Sequence, residues 1–104
     1  MAVERGANGL ETDVWATADG VPVLDHDGVV IRETQLIPIR LLPQAELPDY
    51  MPTLGDLYAA VGTGLELSID VLDEGAVGAV ISTAEAAGGG EALDRLWLTF
   101  FGVD

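Results

Sequence analysis

Two runs of this 104-residue chain, GLETDVWA at 9–16 and LELSIDVL at 65–72, share the two-residue period of a β-strand. In the first, Leu10, Thr12 and Val14 lie on one face, and Glu11, Asp13 and Trp15 on the other. In the second, Leu67, Ile69 and Val71 oppose Glu66, Ser68, Asp70 and Leu72. Each strand therefore has one aliphatic and one acidic face. Between them, PTLGDLYAAVG reads as a helix, with Thr53 placed to cap the free amides, Asp56 three residues on, and Leu54, Leu57, Tyr58 and Val61 along one side. Asp73 and Glu74 open an Ala/Gly-rich helical stretch running toward Gly88, Gly89 and Gly90, their charges suited to the positive end of a helix dipole. DRLWLTFF makes a last strand. Strand, helix, strand, helix, strand predicts an α/β fold of βαβ units around a parallel sheet.

The remaining segments are less regular. Residues 2–8 read as the end of a helix. TADG is a turn, and VPVLDHD returns as a short extended segment. Pro22 donates no ladder bond, which makes that segment an edge or an excursion. Residues 28–52, with prolines at 38, 43, 48 and 52, read as an irregular connection. No repeat or linker divides the chain.

A parallel sheet covered by helices on both sides needs apolar residues on both faces of its central strands, which Glu11, Asp13 and Asp70 do not supply. A closed (β/α) TIM-type barrel accommodates them, because its helices cover the outside while side chains near the carboxyl ends of the strands point into the mouth. An ordinary half-exposed strand with its acids in water meets the same pattern.

Composition narrows the function classes. Four Lys+Arg against 18 Asp+Glu give a net charge of −14, which repels phosphate backbones and anionic membranes and offers no basic stripe for nucleic acid. There is no apolar run long enough for a membrane span. The start, MAVERGANG, has no basic region followed by an apolar core, so a cytoplasmic location is the expectation. With no cysteine, disulfide frameworks and thiolate metal sites are out.

Glu11 and Asp13 sit two apart on one strand face, about 6–7 Å along the strand, and Asp70 would join them from the neighbouring strand. Such an oxygen-only set suits a hard cation such as Mg²⁺, Ca²⁺ or Mn²⁺, around which the three carboxylates are expected to converge. Acids at strand ends are also common without any metal. His26, the single histidine, sits in DHDG, where Asp25 and Asp27 favour its protonated form, as a general acid requires. A solvated turn histidine fits the same residues.

The order GANGLETDVWATADGVPVLDHD, IRET, MPTLGDLYAAVG, LSIDV resembles the glycerophosphodiester phosphodiesterase family, whose pattern combines E-x-D, T-x-D-G and H-D, then R-x-T, h-P-T-L and h-x-h-E-h-K. The resemblance is clearest over residues 6–72. It implies a (β/α) barrel that hydrolyses a glycerophosphodiester small-molecule substrate to glycerol phosphate and an alcohol with bound Mg²⁺ or Ca²⁺. By position, Glu11 and Asp13 match two metal ligands and Asp70 stands where the family has a glutamate ligand. His26 matches the second catalytic histidine.

Three departures accompany the match. The family's first-strand His-Arg-Gly segment has no counterpart, its lysine two residues after the third ligand is Leu72, and the strands end at about the fourth in a fold that typically takes about 250 residues. The expectation is a partial barrel domain over 1–104, from a truncated or mis-started reading frame, inactive as it stands. The alternatives are a noncatalytic acidic module binding a divalent cation or a protein through the exposed sheet, and another metal-dependent barrel acting on phosphorylated substrates.

Overall fold

In the computed structural model, which describes residues 3–5 and 9–100, the two acid-faced runs are adjacent parallel strands. The elements in chain order are β1 (Val3–Arg5), β2 (Gly9–Ala16), β3 (Pro22–Leu24), β4 (Val29–Arg32), β5 (Gln35–Pro38), α1 (Leu54–Val61), β6 (Glu66–Val71), α2 (Val77–Asp94) and β7 (Leu96–Phe100). The main sheet has the order β1-β2-β6-β7, with β3 paired to β2 beside this path and β4-β5 forming a separate ribbon. β2 and β6 are parallel, as are β6 and β7, whereas β1 and β3 run antiparallel to β2. The expected parallel neighbours, in chain order, are therefore present; residue 101 of the last strand lies outside the described residues.

One face of this sheet is sealed by the two helices. Val14, Ala16, Leu67, Ile69 and Val71 are buried against Leu54 and Tyr58 of α1 and Val80, Ala84 and Ala92 of α2, with Leu10, Leu96 and Leu98 packed at the margin. The alanines of α2 let its backbone come close to the strands, so an Ala-rich helix with little hydrophobic bulk still covers them. α1 begins as its sequence dictates. Thr53 Oγ1 accepts from the Asp56 amide and Asp56 Oδ2 accepts from the Thr53 amide, each at 3.0 Å, a complete capping box. α2 is interrupted at Gly89, whose φ of +58° and ψ of −140° leave the helical region. A residue with a Cβ is strained there, and the Gly88–Gly90 run is where the chain turns its last helical segment toward β7.

Two expectations are corrected. Residues 3–5 are a strand, not the end of a helix; residues 2 and 6–8 lie outside the described residues. The edge of β2 away from β6 presents unpaired backbone groups, and Val3–Arg5 pair with Leu10–Thr12 there. Residues 28–52 are not irregular throughout. They hold the β4-β5 hairpin, turned at Glu33 with φ +57°, and 3-10 turns at Ile39–Leu41 and Gln44–Glu46. Val23, Val30, Ile39, Leu42 and Met51 form a second small core beneath them. The prolines punctuate this segment without preventing local pairing. Pro22 behaves as its chemistry requires: β3 is a short strand paired with the last residues of β2, Val14 to Ala16, with Val23 bridging to Thr53.

Replacing fully buried Ile69 by alanine removes packing between sheet and helices, and should cost about 2–5 kcal/mol. Thr53→Ala, which removes one half of the capping box, should cost about 1 kcal/mol. Denaturant unfolding followed by circular dichroism measures both, and the order of the two losses should hold whatever the absolute stability.

Candidate functional site

The face of the sheet opposite the helices carries the acids. In β2 it presents Glu11, Asp13 and Trp15; in β6, Glu66, Ser68 and Asp70; in β7, Trp97 and Thr99; and none of these is buried. Parallel pairing sets Asp13 directly beside Asp70, and Glu11 beside Ser68. Asp70 is thus on the open face, and the Asp13–Asp70 pair lies toward the carboxyl ends of the parallel strands, the end at which barrel sites are built.

The three carboxylates share a face but do not converge. Among the described residues, no three His, Asp or Glu side chains are gathered so as to hold an ion, which corrects the expectation that Glu11, Asp13 and Asp70 surround one point. In the sheet, Glu11 stands one side-chain repeat back along β2, about 6–7 Å from Asp13, beside Ser68 of β6. The donor chemistry still fits a hard cation: Asp13 and Asp70 supply two carboxylates side by side, all oxygen, with Glu11 the longer side chain behind them.

His26 reaches the same end of the sheet because the chain folds back on itself. After β2 the turn at Thr17–Gly20 is closed by the Thr17 amide donating to Val21 O at 3.0 Å, and by Thr17 Oγ1 donating to Asp19 Oδ1 at 2.5 Å while accepting from the Val21 amide at 2.9 Å. The Thr17 hydroxyl and the Gln44 amide hold the Asp19 carboxyl below its ordinary range. β3 then runs antiparallel to β2, and the Asp25 amide donates to Asp13 O at 3.2 Å. The Asp25–Gly28 loop is therefore seated at the level of Asp13. His26 itself is exposed, with Nδ1 2.9 Å from Asp27 Oδ1. The Asp27 hydrogen bond and charge, followed by the field of Asp13 and then Asp25, raise its pKa above the ordinary imidazole value.

Other charges are spent elsewhere. Arg95 meets Glu91 at 3.2 Å and Glu66 at 3.7 Å, and Trp97 Nε1 donates to Glu66 Oε1 at 2.8 Å, all at the amino end of β6. Arg32 meets Glu46 on the excursion. Leu72, where the family pattern has a lysine, is half-buried. A depression of about 530 Å³ lined by Gly55, Tyr58, Ala59, Ser82, Thr83, Ala86 and Ala87 lies between the helices, on the side of the sheet away from the carboxylates. The sequence reading missed the hairpin and Trp15; VVIR and QLIP, two β-prone runs separated by a two-residue turn, were the available signal for the former.

No helix among the described residues is long and apolar enough to cross a membrane. Glycerophosphodiester phosphodiesterase 1 of Rattus norvegicus is 53% identical to this chain, and that of Homo sapiens 50%, over 34 residues in each case, 33% of this chain and 10% of the relative. The chain thus spans a tenth of the length of these curated relatives. The crystal structure of a glycerophosphodiester phosphodiesterase from Thermotoga maritima superposes with a TM-score of 0.73 at 25% identity, covering 93% of this chain and 42% of that one. The strand-helix layout is accordingly that of part of a TIM-type barrel. The model of the glycerophosphoryl diester phosphodiesterase family matches residues 1–85, and with more than half its length so matched, the chain belongs to that family.

Proposed function

We propose that Asp13, Asp70 and Glu11 are the cation-holding part, and His26 the proton-donating part, of a phosphoric diester hydrolase site that cleaves glycerophosphodiesters to glycerol phosphate and an alcohol, a reaction of lipid metabolism. The observation that carries this reading is the seating of the His26 loop on Asp13, itself paired with Asp70 in the sheet. A Mg²⁺ or Ca²⁺ held by these carboxylates would supply neutralisation of charge developing on a non-bridging phosphate oxygen. Water attacks phosphorus, the P–O bond to the alcohol breaks, and the departing alkoxide needs a proton. Protonated His26 keeps Nδ1–H on Asp27 and has Nε2–H free to donate to that oxygen.

The proton leaving the attacking water has no second histidine to accept it, since the sequence contains a single one. Leu72 supplies no positive charge. Losing a general acid or base costs about 10² to 10⁴ in rate, and the 104 residues by themselves are therefore proposed to be a partial domain with negligible turnover. A second reading, a noncatalytic acidic module that binds a divalent cation or a protein, is favoured by the open sheet face and its exposed Trp97.

Incubated with glycerophosphocholine and saturating Mg²⁺ or Ca²⁺, the chain should give no product above blank by phosphorus NMR; robust turnover would overturn the partial-domain reading. Titration with either ion should move the amide resonances of Asp13 and Asp70, and Asp70→Asn should remove the effect. An ion that leaves those resonances still would defeat the cation assignment. The His26 imidazole should titrate above the ordinary value of 6.5, and Asp27→Asn should lower its midpoint. Because the pKa is raised, the proton-donating form is present below that midpoint and lost as pH rises through it.

A further inference from the structure

We propose that Trp15 is the positioning residue for His26, its indole acting as the latch that holds the Asp25–Gly28 loop at the carboxylate end of the sheet. The catalytic significance of the latch rests on the reading of His26 as proton donor.

Trp15 follows Glu11 and Asp13 on the open face of β2, so strand alternation alone delivers its ring beside the site. The ring is half-buried and packs against the second core of Val23, Val30, Ile39, Leu42 and Met51. Both ends of the loop are fixed to it. At the first residue, indole Nε1–H donates to Asp25 O at 2.9 Å. At the last, Gly28 lies so close over the ring that a Cβ there would fall 2.4 Å from Cε2 and 2.5 Å from Cδ2. Gly28 also has φ +73°, so any side chain at this position meets both a strained backbone and an occupied space.

Further bonds make the loop a closed unit on that platform. The Gly28 amide donates to Asp25 Oδ2 at 2.8 Å, and Gly28 O accepts from the Ile39 amide at 2.9 Å. His26 and Asp27, between the two anchored ends, are left with side chains 83% and 76% exposed. Such exposed residues have little packing of their own to fix them, so their position is set by what holds Asp25 and Gly28. An indole supplies in one rigid group both the donor for one end and the flat surface for the other; phenylalanine supplies only the surface.

The test is amide hydrogen exchange and His26 titration by NMR on the 104-residue chain. Trp15→Phe keeps an aromatic ring in the second core and removes the donor. It should speed exchange of the Gly28 amide roughly threefold to tenfold, the equivalent of one net hydrogen bond, while the Leu67–Val71 amides of β6 stay unchanged. The His26 midpoint should fall as the ring leaves the field of Asp13, while Asp25 and Asp27 travel with the loop and keep it above that of free imidazole. Gly28→Ala, which drives a methyl into the indole, should release the same loop with Trp15 intact. If Trp15→Phe leaves the Gly28 amide and the His26 midpoint as they were, or lowers protection evenly across β3 and the hairpin with His26 unmoved, the latch is overturned and Trp15 is a core residue only. These readouts need neither turnover nor a bound ion, so their failure removes the latch without touching the proton-donor assignment, which stands or falls on the experiments of the preceding section.

Discussion

The parallel pairing of β2 with β6 is the constraint on which the rest depends. Its register is held by the helix-covered face, where Val14, Leu67, Ile69 and Val71 are nearly or wholly removed from water. A slip of one residue would turn every side chain to the other face, burying Asp70 and exposing Ile69. The apolar face therefore enforces an arrangement on the polar face that the polar residues would not choose. Asp13 and Asp70 stand side by side, and like charges directly opposite on neighbouring strands repel. Burial on one side of the sheet is what stabilises a concentration of negative charge on the other, and that concentration is what the proposed cation would offset.

The segment between β2 and α1 does a different kind of work. It has a core of its own, small and separate from the one under the sheet, and it leaves and re-enters the fold at nearly the same place. β3 lies back along the end of β2, and Val23 bridges to Thr53, the cap of α1. An excursion with both ends pinned in this way returns a loop to a chosen level of the sheet. The Asp25 amide on the Asp13 carbonyl makes that level the one where the carboxylates are, so a backbone hydrogen bond links the two halves of the proposed site.

Family membership and the geometry reinforce each other without being the same statement. The match over residues 1–85 covers the strand with Glu11 and Asp13, the excursion with His26, and β6 with Asp70. The superposition on 42% of a whole relative places these elements as contiguous parts of a barrel wall, which is why one face is greasy and the other acidic. In a barrel wall the helices shield the outside only, and the inner side keeps whatever polar groups the chemistry requires.

The sequence by itself determined the periodic features. Alternation in GLETDVWA and LELSIDVL settled which side chains share a face, Thr53 and Asp56 settled where α1 begins, and the order of E-x-D, T-x-D-G and H-D pointed to the family. All of these are local, arising from the two-residue strand repeat and from a helix end's need for hydrogen-bond partners. Tertiary structure decided what depends on contacts between distant segments. Val3–Arg5 became a strand because β2 had an edge to fill, and the proline-rich stretch formed a hairpin because Val30 and Ile37 pair over a second core. Asp13 came to lie beside Asp70, and Glu11 beside a serine, because the parallel register of β2 with β6 sets those pairs. Trp15, which alternation could only place on the acidic face, became the support of the His26 loop because β3 brought Asp25 and Gly28 back across its ring.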